Sequence, residues 1–147
     1  MPVIKWAFLC DYACVDAAGK ASIIGTFEYI NVSKLPQRWP QLYVALEMQT
    51  TGAEDFEISA QINSPSGKEA SKRIVIPFKT HPGDQQAHKG FVTFAFFSTL
   101  FEEEGEYHIM LFLDGTPIHF IPLYIRLRPK PPQKGDAVQS SKQNNLG

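Results

Sequence analysis

The chain predicts an all-β fold: a single antiparallel two-sheet β-sandwich of about eight strands, immunoglobulin-like or C2-like in general architecture. Three observations carry this expectation. Apolar residues alternate with polar ones at period two through most of the chain, and no long stretch keeps a helical period. Turn residues punctuate the alternating runs at short intervals. Gly105-Glu106-Tyr107 leads into the run His108 to Leu113 and then Asp114-Gly115, which reads as the corner, strand and hairpin turn of a β-sandwich.

In order, strands are expected near 4–15, 20–32, 41–50, 55–63, 70–78, 90–98, 106–113 and 117–127. The first two are joined by Asp16-Ala17-Ala18-Gly19, with Asp first and Gly fourth as a type I turn prefers. Leu42, Val44, Leu46 and Met48 alternate in the third strand, and Phe56, Ile58, Ala60 and Ile62 in the fourth, each pattern implying one wet face. Ser64-Pro65-Ser66-Gly67 repeats the turn, with Pro where its fixed φ is wanted. Ile74, Ile76 and Phe78 mark the fifth strand. The sixth, Phe91 to Phe97, is apolar on both faces apart from Thr93, which predicts a strand that is central or covered twice. Ser98 to Glu104 is assigned one helical turn before the corner. Asp114-Gly115 is the two-residue type I′ signal that joins the last two strands.

With 147 residues, 44% hydrophobic and 20% charged, the chain suits one domain with one core. The body is assigned to 1–128. From 129 to 147 the sequence is rich in Pro, Lys, Gln and Ser and too poor in apolar residues to offset its ordering entropy, so a flexible tail is expected. A formal net charge of -1 offers no basic field for phosphate backbones or anionic membranes. Neither nucleic acid nor membrane is an expected partner. The N-terminal apolar stretch is too short for a signal h-region, and no run of about 18 apolar residues could span a bilayer. Cys10 and Cys14 are four residues apart on one strand, about 13 Å between Cα atoms at roughly 3.3 Å per residue, beyond disulfide reach. Free thiols imply a reducing compartment.

At Leu9-Cys10-Asp11-Tyr12-Ala13, at Gly19-Lys20-Ala21-Ser22-Ile23-Ile24-Gly25-Thr26-Phe27, and at Gly105-Glu106-Tyr107 with Asp114-Gly115, the chain resembles a bacterial family of small uncharacterised β-sandwich proteins. The likeness covers residues 4 to 127. Asp inside strand one and Ile-Ile-Gly inside strand two form its specific block, whereas the second block is common to many sandwiches. The resemblance implies a bacterial, cytoplasmic setting and supplies no catalytic residues or cofactor.

Asp11 is the oddest residue, an acid amid an apolar strand that must be paired, hydrogen-bonded or at an edge. The structural reading is an acid that fixes strand register with a lysine, an arginine or Thr26; catalysis or metal binding is the alternative. His81, Asp84 and His88 share the longest irregular connection, but no preorganising ligand motif accompanies them, so a solvated loop is favoured over a metal site. Glu102, Glu103 and Glu104 read as a solvated turn face rather than an ion site. Nucleophile elbows, phosphate loops and thiol-enzyme signatures are missing from the sequence. Cys10 and Cys14 share a face with Phe8 and Tyr12, where free cysteine serves as a small hydrophobe.

The last hairpin is apolar on both sides, with Phe112 and Met110 opposite Leu111 and Leu113, and Ile118 and Phe120 opposite Ile121 and Leu123. One side needs a partner, and Phe112 and Phe120 are the candidate contact residues. The expected function is therefore non-catalytic and without a cofactor: a binding or scaffolding module working through protein-protein contacts, self-associating as a homodimer. The alternative is a small-ligand or carbohydrate-binding domain using Tyr29, Trp39, Tyr43 and Tyr124, with a metal-dependent enzyme on the 79–90 loop third. The tail assignment has a direct check. Deleting residues 130–147 should leave the melting temperature within about two degrees, since surface changes typically cost about 0.5 kcal/mol or less; a larger drop in a thermal melt would show the tail packed on the body.

Overall fold

The computed structural model describes residues 2–52, 54–79 and 87–129, and at 87 and 88 only the backbone. The tail from 130 lies outside the described residues. Among those described there is no helix, and so none long and apolar enough to cross a membrane. Nine strands form: β1 (Val3–Val15), β2 (Ala21–Thr26), β3 (Tyr29–Val32), β4 (Gln37–Thr51), β5 (Phe56–Asn63), β6 (Ile74–Phe78), β7 (Ala87–Phe101), β8 (Gly105–Leu113) and β9 (Thr116–Leu127). They make a four-stranded sheet in the order β2-β1-β4-β7 and a five-stranded sheet in the order β3-β9-β8-β5-β6. Leu42, Val44 and Phe94 of the first sheet share one buried cluster with Ile58, Ile109 and Leu123 of the second. This is the core that the alternating patterns of β4, β5 and β8 require.

The local turns form as their residues dictate. Gly19 N–H donates to the Asp16 carbonyl at 3.0 Å and Gly67 N–H to the Ser64 carbonyl at 2.9 Å. Asp16 Oδ1 also accepts from the Ala18 and Lys20 amides, and Ser64 Oγ accepts from Lys68 N–H. Asp114 and Gly115 have φ of 48° and 81°, the left-handed pair of a type I′ turn.

Four expectations are corrected. The single strand at 20–32 is two strands in different sheets. Gly25, at φ 67°, breaks the extended run. Phe27 N–H makes the last bond to the first sheet, at the Leu9 carbonyl, and the Glu28 carbonyl makes the first to the second, accepting from Tyr124 N–H. β3 then pairs parallel to β9, so the architecture is not purely antiparallel. Next, β7 is the outer strand of its sheet rather than a central one; its doubly apolar pattern has another cause, taken up below. The helical turn at Ser98–Glu104 is absent because β7 continues to Phe101. Finally, β6 begins at Ile74, since Ser71 Oγ takes the Ile62 amide and the chain loops out before pairing again.

The tyrosine corner is present. Tyr107 is 1% exposed, its ring set edge-on against Phe101 with centroids 5.1 Å apart. Its hydroxyl donates to the Glu103 carbonyl at 3.0 Å and accepts from Glu103 N–H at 3.3 Å. Burial pushes the phenol pKa up, and the backbone bonds only partly offset this. Tyr107→Phe removes both bonds while keeping the ring, so a denaturant melt should show a loss of about 1–3 kcal/mol; a neutral result would mean that the corner bonds carry no net stability.

Candidate interaction surface

The first sheet turns β4 side chains Leu42, Val44, Leu46 and Met48 to the core, which leaves Tyr43, Ala45 and Glu47 on its outer face. Registers of β1 and β7 on β4 place Phe8 and Thr93 beside Ala45, Cys10 and Ala95 beside Tyr43, and Trp6 and Phe91 beside Glu47. Two chains of rings result. Trp6 stacks on Phe8 at 5.5 Å and meets Phe91 at 5.7 Å; Tyr43 meets Tyr12 edge-on at 5.2 Å and Phe97 at 6.3 Å. Cys10, Ala13 and Ala45 form a small buried cluster packed by Trp6, Ile23 and Tyr43. The rings themselves stay open to solvent, with Phe97 63% exposed, Phe8 45% and Tyr12 42%. Ile24, paired with Tyr12, is 59% exposed. Glu47 is the one charged residue among these positions. The double apolarity of β7 is thereby explained: Val92, Phe94 and Phe96 enter the core, and Phe91, Ala95 and Phe97 line this face.

The second sheet also exposes large apolar side chains, with Tyr29 49%, Phe120 46% and Tyr124 40% exposed, but its rings each meet a polar side chain. Phe112, expected as a contact residue, is corrected: it is 7% exposed, with the Arg73 guanidinium 3.7 Å from its ring centroid. Arg73 is held there by its Nε–H bond to Gln61 Oε1 at 3.1 Å. Phe120 is 46% exposed but stacks on His108 at 4.4 Å, and His108 lies 3.4 Å from Glu106. Arg126 covers Tyr29 at 4.3 Å, and Tyr124 O–H donates to Glu106 Oε1, which pushes the Tyr124 pKa up. The aromatics proposed for a ligand site do not share a platform: Tyr29 and Tyr124 are neighbours on this sheet, whereas Tyr43 is on the other.

Asp11 is exposed on β1 and makes none of the three pairings expected of it among the described residues; instead its carboxylate occupies the space above Gly25, where a Cβ would run into it. The Asp and the Gly of the specific sequence block are therefore two halves of one contact. Asp11 and Trp39 also border an open recess of about 250 Å³ with Thr26 and Asn31. Cys10 is fully buried, its thiol donating to the Tyr43 carbonyl at 3.7 Å. Burial, and then the neighbouring Asp11 charge, push its pKa up to about 11, so it stays a thiol at neutral pH. Cys14 is half-buried. His81 and Asp84 lie outside the described residues, as does the side chain of His88, whose backbone pairs with Thr50 in β7. Glu103 and Glu104 accept from the Ser66 and Leu127 amides, so part of the acidic run caps backbone. The expected site residues are thus scattered over both sheets. The aromatic face of the first sheet was missed; its signal was present in Trp6, Phe8 and Tyr12, but which strands adjoin them was not.

A groove of about 900 Å³ opens between β1 and β9, lined by Phe8, Leu9, Phe27, Ile121, Pro122 and Tyr124. It exists because β2 pairs with β1 only from Cys10 onward and β3 with β9 only from Tyr124. Both backbones facing it are guarded, β1 by an irregularity between Ile4 and Trp6 and β9 by Pro122.

Residues 5–126 match the model of a family of unknown function (DUF6941), and the chain belongs to that family. No curated protein matches it. Among solved structures it is similar to a Pseudomonas fluorescens alkylpurine DNA glycosylase AlkC bound to DNA containing an abasic site analog, at 9% identity and a TM-score of 0.43. The match covers 82% of this chain and 30% of that one, and a likeness of this size carries no argument about function.

The contact between Asp11 and Gly25 makes a separable prediction. Gly25→Ala should cost about 1–3 kcal/mol, from a left-handed alanine together with the clash. Adding Asp11→Ala should recover the clash and leave the backbone strain. Additive losses in the double-mutant cycle would show that the two residues are not coupled.

Proposed function

We propose that this member of a family of unknown function is a non-catalytic protein-interaction module, a two-sheet β-sandwich that works in the cytoplasm and presents the outer face of its four-stranded sheet to a protein. The observation that carries the reading is the contrast between the two outer faces. On the five-stranded sheet, Arg73, His108, Arg126 and Glu106 engage the aromatic rings. Among the described residues, the rings on the four-stranded sheet engage only one another. At about 200 Å² for a large side chain, the open fractions of Phe8, Tyr12, Ile24 and Phe97 leave on the order of 400 Å² of apolar surface. That is about half of the roughly 800 Å² each partner contributes to a standard interface, before any polar rim is counted. Aromatic enrichment with charge depletion is the composition of an interface centre, and it does not suit a phosphate backbone or an anionic bilayer.

The recess bordered by Asp11 and Trp39 favours a second reading, a small polar ligand stacked on the indole. Its small volume and open shape give that reading less support than the aromatic face gives the first.

The test replaces Phe8 and Tyr12, both far from the free edge of β7. Phe8→Ser with Tyr12→Ser should leave the chain folded with a lowered thermal melt, since each side chain is about half exposed and each loses one ring contact, to Trp6 and to Tyr43. Proteins retained from a cell extract by the wild-type chain should then be lost by the double variant. Partners indifferent to the change would assign the interaction to another surface and sink the proposal.

A further inference from the structure

The two sheets have four outer strands, and three of them are blunted. β2 has 6 residues and contains Gly25 at positive φ. β3 has 4 residues, and β6 has 5 including Pro77. Short edges, prolines and kinks are the means by which sheets avoid adding foreign strands. β7 has 15 residues, and from Gly90 to Phe101 it contains neither proline nor a charged side chain. Among the described residues its second edge is paired with nothing.

Backbone polarity along that edge follows from the ladder. The Leu9 carbonyl bonds Phe27 on the β2 side of β1, so Leu9 and Val44 form a non-bonded pair and Val44 turns its polar groups to Phe94. Alternation then points the N–H and C=O groups of Phe91, Thr93, Ala95 and Phe97 away from the sheet. This stretch is bounded by Gly90 and by Ser98, at φ 53°, and its midpoint is Phe94.

We propose that the partner bound at this edge is a second copy of the chain, joined antiparallel along β7 about a two-fold axis through Phe94. The register pairs Thr93 with Ala95 of the partner subunit and Phe91 with Phe97 of the partner subunit, so all outward groups are used, about eight intermolecular bonds. Four-stranded sheets from the two copies become one continuous sheet. The segment is uncharged, so identical copies meet without like-charge opposition, and the isologous contact closes at two subunits. Phe97, the most exposed large apolar side chain at 63%, gains Phe91 of the partner subunit as a cross-strand neighbour. The outer faces merge, and on the estimate above the platform doubles to about 800 Å². This inference rests on the interaction-module reading and names its first partner.

Two measurements on the full chain decide it. Sedimentation should show a dimer that dissociates on dilution through the micromolar range, and a monomer up to high micromolar concentration overturns the proposal. Amide exchange supplies the register. Val92, Phe94 and Phe96 bond to β4 in either state, whereas Thr93 and Ala95 should be protected only where the dimer predominates. Fast exchange at both in the dimer moves the interface elsewhere and overturns the proposal. Ala95→Pro removes an outward amide without breaking the bonds to β4, so it should give a folded monomer with wild-type circular dichroism. Should that variant fail to fold, wild-type exchange still decides. The outcome is separable from the face reading, because Phe8→Ser with Tyr12→Ser leaves the β7 edge intact and should still dimerise.

Discussion

The crossing at Phe27–Glu28 is the constraint on which the rest of the structure depends. Two backbone bonds fix it, Phe27 N–H to the Leu9 carbonyl and Tyr124 N–H to the Glu28 carbonyl, and they tie one sheet to the other within two residues. Gly25 makes the change of direction possible, and Asp11 fills the space that Gly25 leaves. Once the chain has crossed, β3 can only join β9 on its open side, where it runs parallel. The same crossing ends the pairing of β2 with β1, which opens the groove beside Phe8 and Pro122. An early departure of the chain thus shapes both sheets.

The two outer faces show what an aromatic-rich sheet does with rings that the core cannot take. In the second sheet, long side chains from neighbouring positions fold over them: Arg73 on Phe112 and Arg126 on Tyr29 bury apolar stems and ring faces while their charged ends stay near water. Among the described residues no charged side chain lies over a ring of the first sheet. Its outer positions are mostly aromatic or small, with Ile24 beside Tyr12 and Gln41 beside Phe97, and the one acid among those paired with Trp6 and Phe91, Glu47, is itself 8% exposed. Edge-to-face contacts stabilise such rings by about 0.5–1.5 kcal/mol per pair, but they do not remove the outer ring faces from water. The remaining apolar area is a standing drive toward association.

What was legible in the sequence was local. The Asp16, Ser64 and Asp114 turns, the corner at Tyr107 and the core faces of β4 and β5 are decided by residues a few positions apart and appear where their spacing puts them, but the wet faces expected of β4 and β5 do not, since Ala45, Glu47, Ser59 and Gln61 are buried. Contacts set by distant residues were not legible. Period-two alternation has the same form in either sheet, so nothing within 20–32 marks the point where the chain changes sheets, except Gly25. A doubly apolar strand is what a central strand looks like, and β7 imitates one because its second apolar face is a surface. Phe112 and Phe120 look equivalent in sequence; Arg73, reaching across from the far side of β5, separates them. The face built by Trp6, Tyr43 and Phe91 needed the strand order before it could be seen at all.

The acidic run at 102–104 shows the opposite relation between chemistry and role. Glu103 and Glu104 carry the charge that in isolation suggests an ion site, yet one accepts from the Ser66 amide and the other from the Leu127 amide, while Tyr107 bonds the Glu103 backbone from inside. These contacts gather the Ser64 turn, the β7–β8 connection and the end of β9 at one end of the molecule. Carboxylates that accept backbone amides satisfy donors that would otherwise face the protein surface unpaired, a structural use of charge. In this chain the conspicuous polar residues are consumed by the fold, at Asp16, Asp114, Glu103 and Glu104. On the four-stranded sheet the exposed side chains Phe8, Tyr12, Ile24 and Phe97 are apolar, and among the described residues its rings meet only other rings.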